Sequence, residues 1–126
     1  MKVKSYTDLL VWQKSIELVK EVYGITKTFP KVEVYGLTSQ MRRAAVSIPS
    51  NIAEGFLRQH KPETIQFLYI SLGSCGELHT QFLIAKELGF VTDEQLNRLF
   101  TNHLFFIIRM MQNLIKSLRN KCDTTT

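Results

Sequence analysis

"QMRRAAVSIPSNIAEG", residues 40–55, decides how the chain is read. Met41, Ala45, Ile48 and Ile52 recur at the three- and four-residue spacing of one helix face. Pro49 stands inside that pattern. It removes a backbone donor and crowds the carbonyl of Ala45, at a cost of about 3 kcal/mol relative to alanine. Its neighbours Ala44, Ala45, Ser47, Ser50, Ala53 and Gly55 are all small. They predict that a second helix approaches this backbone closely, which offsets the penalty. The Ser47 and Ser50 hydroxyls are placed to bond backbone groups locally, and a kink at the proline would bend the helix around its neighbours. Ser39, Arg43, Ser47, Ser50 and Glu54 form a polar line, and Arg42 lies one residue round, beside Val46, Pro49 and Ala53. Its stem has an apolar surface to lie on while the guanidinium points elsewhere. The arginine pair reads either as a solvated or ion-paired couple or as a set that recognises phosphate or carboxylate.

Outward from this stretch, sparse Gly and Pro breaks divide the chain into four long segments of helical periodicity, over about residues 7–28, 37–57, 62–88 and 93–120. In the first, Leu9, Trp12, Ile16, Val19 and Tyr23 make one apolar stripe and Val11, Leu18, Val22, Ile25 and Phe29 a second, with Thr7 as expected N-cap. The third starts at Pro62, suited to a first helical position, and stops at Gly89. Ile65, Leu68, Leu72, Cys75 and His79 share its core line. The fourth opens with Thr92 and Gln95, spaced as a capping box. Its main stripe is Leu96, Leu99, His103, Ile107, Met110, Leu114 and Leu118, with Leu104, Ile108, Met111 and Ile115 beside it. Fraying is expected beyond Asn120, with residues 121–126 a disordered tail. No segment alternates with period two, so the expected fold is all-α, an up-down-up-down antiparallel four-helix bundle in one domain, 1–126. The first and fourth segments carry more apolar surface than one bundle face needs, which predicts a homo-oligomer.

Composition narrows the function classes. The 126 residues are 44% hydrophobic and 21% charged, with a formal net charge of +5. No apolar run reaches the ~18 residues of a membrane span, and Asp8 and Gln13 interrupt any signal-peptide core. The expected location is therefore cytoplasmic, with no membrane partner. Cys75 and Cys122 form no CxxC pair. A di-iron bundle needs Glu-x-x-His on two helices, but Glu77 and His79 are two apart, and His60 falls in a loop. Ser71 and Ser74 have no glycine elbow or acid partner. "GSCG", residues 73–76, lies inside a helical pattern, where its glycines suggest close helix contact and not a phosphate loop. Catalytic residues, metal ligands and cofactors are thus none.

"DLLVWQKS", "FPKVEVYGLTSQMRRAAVSIPSNIAEGF" and "GSCGELHTQ" resemble the four-helix bundle family of 23S rRNA intervening-sequence proteins, across about residues 5–118. That family is related to the accessory variability proteins of diversity-generating retroelements. The resemblance implies a four-helix bundle, a homopentamer and no established catalytic activity. Its retroelement members are basic and are thought to bind nucleic acid and a reverse transcriptase. The chain departs from the pattern at His79, where a glutamate is expected, and at Leu72 and Cys75, where alanine-rich surroundings are expected.

Charge carries the remaining signal. Arg42, Arg43, Arg58 and Lys61 cluster against one acid, Glu54, between residues 36 and 61. Arg109, Lys116, Arg119 and Lys121 follow with no acid between 109 and 122. Repeated in an oligomer, such charges bind RNA or DNA through its phosphates in a salt-sensitive way. The leading expectation is a non-enzymatic oligomeric bundle binding nucleic acid through Arg42, Arg43, Arg58, Lys61, Arg109, Lys116 and Arg119. The alternative is an adaptor for a protein such as a reverse transcriptase, without nucleic-acid contact.

Overall fold

The structure, a computed structural model, describes residues 5–124. Helices α1 (Leu10–Thr26), α2 (Leu37–Phe56), α3 (Lys61–Glu87), α4 (Asp93–Leu99) and α5 (Phe105–Thr124) pack as a four-helix bundle. The fourth long helix is made of α4 and α5, joined by a five-residue π-helical turn, Phe100–Leu104. No strand occurs among the described residues. One apolar core contains Leu18, Met41, Ile48, Leu68, Leu78, Phe82, Leu104 and Met111, contributed by every long helix.

Helix α2 runs unbroken through Pro49, and the reason lies in α3. The Ser71 hydroxyl donates to the Ile48 carbonyl at 2.8 Å, and Thr64 Oγ1 donates to the Gly55 carbonyl at 2.7 Å. The Ser47 and Ser74 hydroxyls meet at 2.8 Å. Such bonds contribute about 1 kcal/mol each and hold α2 to α3 on both sides of Pro49, while none of the three reaches the Ala45 carbonyl that the proline leaves without its donor. A Cβ on Gly55 would stand 3.0 Å from Cβ of Phe67 and 3.1 Å from the Thr64 carbonyl, so α3 touches the α2 backbone here. The expected close approach is therefore real, but its bonds run between helices. Ser47 reaches across to α3 and accepts from Asn51, and Ser50 is exposed, so neither hydroxyl repairs the proline's own helix.

Other expectations are corrected. Thr7 does not cap α1. Ser5 caps a short 3₁₀ turn, Tyr6–Asp8, by accepting from the Thr7 N–H at 3.2 Å, and α1 starts at Leu10. Core contact in α1 falls on Val11, Ser15, Leu18, Val22 and Thr26, and Phe29 follows in the turn after it. Ser15 and Thr26 fit among these apolar groups because their hydroxyls donate to carbonyls of their own helix, Trp12 and Val22, both at 2.7 Å. The stripe Leu9, Trp12, Ile16 and Val19 is half-buried, and Tyr23 is exposed. The core line of α3 is Leu68, Ser71, Cys75, Leu78, Phe82 and Ala85, with His79 at its margin against Phe100, centroids 4.6 Å apart.

The fourth helix is not continuous as expected. Its buried residues are Leu96 and Leu99 of the expected stripe, then Phe100, Leu104, Ile107, Met111 and Ile115. An unbroken α-helix would turn Ile115 about 100° away from Leu96. The wider π turn absorbs that drift and moves the line off His103, which is half-buried. The Thr92–Gln95 capping box forms as expected, with Gln95 N–H to Thr92 Oγ1 at 3.1 Å. Gly89, at φ 81°, ends α3 where glycine alone is unstrained. Lys86 and Asp93 pair at 2.8 Å across that turn, and the carboxylate holds the Lys86 ammonium above its ordinary range. Helix α5 continues to Thr124, past the expected fraying point, because no Gly or Pro interrupts it. Residues 125 and 126 of the expected tail lie outside the described residues.

Candidate nucleic-acid interface

Antiparallel packing sorts the seven candidate cations. The end of α2, the start of α3 and the end of α5 share one end of the bundle, and the start of α2 lies at the other. Arg58 and Lys61 therefore lie at the first end, Lys116 and Arg119 lie toward it beside Tyr69 of α3, and Arg42 and Arg43 lie at the second. Arg109 stands apart, exposed in the first half of α5.

Arg42 is committed to the fold. Its guanidinium lies 4.5 Å over the Tyr23 ring, Nε donates to Thr26 Oγ1 at 2.9 Å, and Nη2 donates to the Tyr23 carbonyl at 3.4 Å. Those groups belong to the last turn of α1, where a cation meets the negative end of the helix dipole. Arg42, half-buried and with no carboxylate partner among the described residues, ties α1 to α2. Arg43, one residue on, is exposed and lines a groove of about 540 Å³ with Arg42, Tyr23, Ser39, Val46 and Ser47.

At the other end Arg58 pairs with Glu54 at 3.1 Å and lies 4.9 Å over the Phe67 ring. Its charge is partly answered within the chain. Lys116 and Arg119 differ. They line a groove of about 460 Å³ between α3 and α5, with Tyr69, Gln112 and Asn120 and a floor of Leu72 and Ile115. Arg119 Cζ lies 5.2 Å from the centre of the Tyr69 ring. No carboxylate lines the groove. The site combines two cations, an aromatic face and two side-chain amides. Sequence reading found the cations and missed Tyr69, Gln112 and Asn120. Tyr69 did carry a signal, since it is an aromatic residue set off the core line of α3.

Among the described residues, no group of three or more His, Cys, Asp or Glu could hold a metal ion. Cys75 is buried, and desolvation pushes its thiol up to about 12. No described helix is long and apolar enough to cross a membrane.

The sequence profile of the 23S rRNA-intervening sequence protein family matches residues 7–113, which is most of the chain. The chain belongs to that family. As an intervening-sequence protein it shares its fold with a solved structure, a protein of unknown function from the S23 ribosomal protein family of Bacteroides thetaiotaomicron. The two are 23% identical with a TM-score of 0.75, over 85% of this chain and 99% of the other. Among curated proteins none matches the chain. The comparisons establish the family and the four-helix architecture of this intervening-sequence protein, while the groove at Lys116 and Arg119 comes from its own coordinates.

Proposed function

We propose that this intervening-sequence protein is a non-enzymatic, self-assembling helical bundle of the cytoplasm that holds nucleic acid by its phosphates. The observation that carries the reading is the groove in which Lys116 and Arg119 face the same space without a carboxylate, at the bundle end that also bears Lys61. Assembly would repeat that basic end around a ring, and the resemblance to the family makes a pentamer the expected form. Support for assembly comes from the outer surface of α3, the turn after it and the start of α5. Leu83, Ile84 and Leu88 are 42%, 45% and 56% exposed, and Phe105 and Phe106 of α5 are 45% and 39% exposed. Exposed apolar side chains grouped on one stretch of surface suit burial against a partner.

Light scattering across a dilution series tests the assembly; a monomer at every concentration would end that part of the proposal. Titration of labelled RNA and DNA at several salt concentrations tests the binding. The Lys116→Glu/Arg119→Glu variant should bind more weakly and with a log–log salt slope shallower by about one to two. Binding that keeps the wild-type affinity and slope in this variant would place the phosphates elsewhere.

A second reading is favoured by the loop before α2. Val32, Val34 and Tyr35 are 85%, 50% and 95% exposed, a surface suited to a protein partner such as a reverse transcriptase. A pull-down that survives nuclease and is lost on Tyr35→Ser would support that adaptor role.

A further inference from the structure

The groove at the basic end holds more than phosphate chemistry requires. Lys116 and Arg119 alone would bind the backbone of a duplex or a single strand. Tyr69, 43% exposed, adds an aromatic face beside them, and Arg119 is fixed over one side of that ring at 5.2 Å. Gln112 and Asn120 add donors and acceptors on the same wall. A base can stack on the open part of the ring only when it is unpaired, while its phosphate lies by the guanidinium. A duplex presents its phosphates but hides its base faces. An acidic peptide would use the two cations and leave the ring and amides without a role.

We infer that this groove takes an unpaired nucleotide of single-stranded nucleic acid, with the base stacked on Tyr69, its edge facing Gln112 and Asn120, and its phosphate at Arg119 and Lys116. The inference rests on the proposed phosphate binding and names its substrate class. Both RNA and DNA single strands carry the needed chemistry.

The test is fluorescence anisotropy with labelled oligo(U), oligo(dT) and a blunt duplex of the same length, at one low salt concentration. The single strands should bind more tightly than the duplex. Tyr69→Ala should weaken single-strand binding about tenfold and leave duplex binding unchanged. Tyr69→Phe, which keeps the ring, should restore it and also guards against a folding defect. Oligo(U) bound over oligo(dT) would assign the groove to RNA, and the reverse to DNA. Equal affinity for duplex and single strand, with Tyr69→Ala silent, overturns the stacking site and leaves phosphate binding standing. Displacement of the probe by poly(glutamate) as readily as by oligonucleotide at matched charge also overturns it. Absence of binding to every probe removes the phosphate reading, and this one with it.

Discussion

Gly73 and Gly76 offer a prediction whose sign depends on what surrounds them. Both lie in the middle of α3, with ordinary helical backbone, and a Cβ built on either meets nothing within 4 Å. They were expected to mark close helix contact, yet in the single chain they face open space. Each therefore only weakens the helix, by about 0.8–1.0 kcal/mol relative to alanine. Gly73→Ala/Gly76→Ala should stabilise the free chain by about 2 kcal/mol, which for a chain of this size raises Tm by roughly 6–10 °C. The assay is thermal melting by far-UV circular dichroism, at a dilution where light scattering reports monomers. An unchanged or lowered Tm there would refute the reasoning, because it would mean the glycines serve contacts within the chain. Gly55→Ala is the control of opposite sign. Its methyl would press on the Thr64 carbonyl and Phe67 at 3.0–3.1 Å, and overpacking of about 1–3 kcal/mol outweighs the propensity gain. Concentrated samples add a second readout. If copies meet across α3 at these glycines, the double variant melts higher when dilute yet assembles less well. Higher melting with undiminished assembly places the contact elsewhere.

Ser71→Ala removes the bond to the Ile48 carbonyl beside Pro49 and should lower stability by about 1 kcal/mol in urea unfolding. Arg42→Ala should cost about 1–2 kcal/mol by releasing α1 from α2, and Arg42→Lys should not restore it because the guanidinium both stacks and donates from Nε; Arg43→Ala should stay within about 0.5 kcal/mol. In a Cys122→Ser background, Cys75 should resist alkylation in the native state at mildly alkaline pH and react only on unfolding. Its folded pKa, about 12, lies above the ordinary 9.0. The unfolded chain therefore releases this proton first, so stability is intact below pH 9.0 and declines as pH rises toward 12. A melting point flat across that range would contradict the burial argument.

Much of the bundle was legible because helix signals are local. Pro62, Gly89 and the Thr92–Gln95 box each act within a few residues, and each marks the boundary it was expected to mark. Partner choice was not local. Ser47 faces both its own helix and α3, and only packing decides that it meets Ser74. The π turn was hidden for a related reason. Both stripes of the fourth helix are good apolar lines, and the chain begins on one and finishes on the other. The surplus apolar surface was expected on the first and last helices. It is largest on α3, because the first helix half-buries its second stripe against its neighbours.

The same distinction governs the basic residues. Sequence proximity joined Arg42 to Arg43 and set both beside Arg58 and Lys61. Antiparallel packing puts Arg42 and Arg43 at the opposite end from Arg58 and Lys61, and brings Lys116 and Arg119 to Tyr69 of α3, more than forty residues back. An exposed cation retains its charge for a ligand only where the chain has not already used it. Arg58 is answered by Glu54, and the donors of Arg42 are taken up by Thr26 and the Tyr23 carbonyl, but Arg119 rests on a neutral ring with its donors open to the groove. A cation–π contact orients the guanidinium without neutralising it, so Arg119 is held in place and still attracts a phosphate. Alanine at Tyr69 should therefore leave the charge and remove only the stacking face, whereas glutamate at Arg119 reverses the charge itself. A loss at Tyr69 confined to single strands, against a loss at Arg119 shared by single strands and duplex, would separate the two contributions.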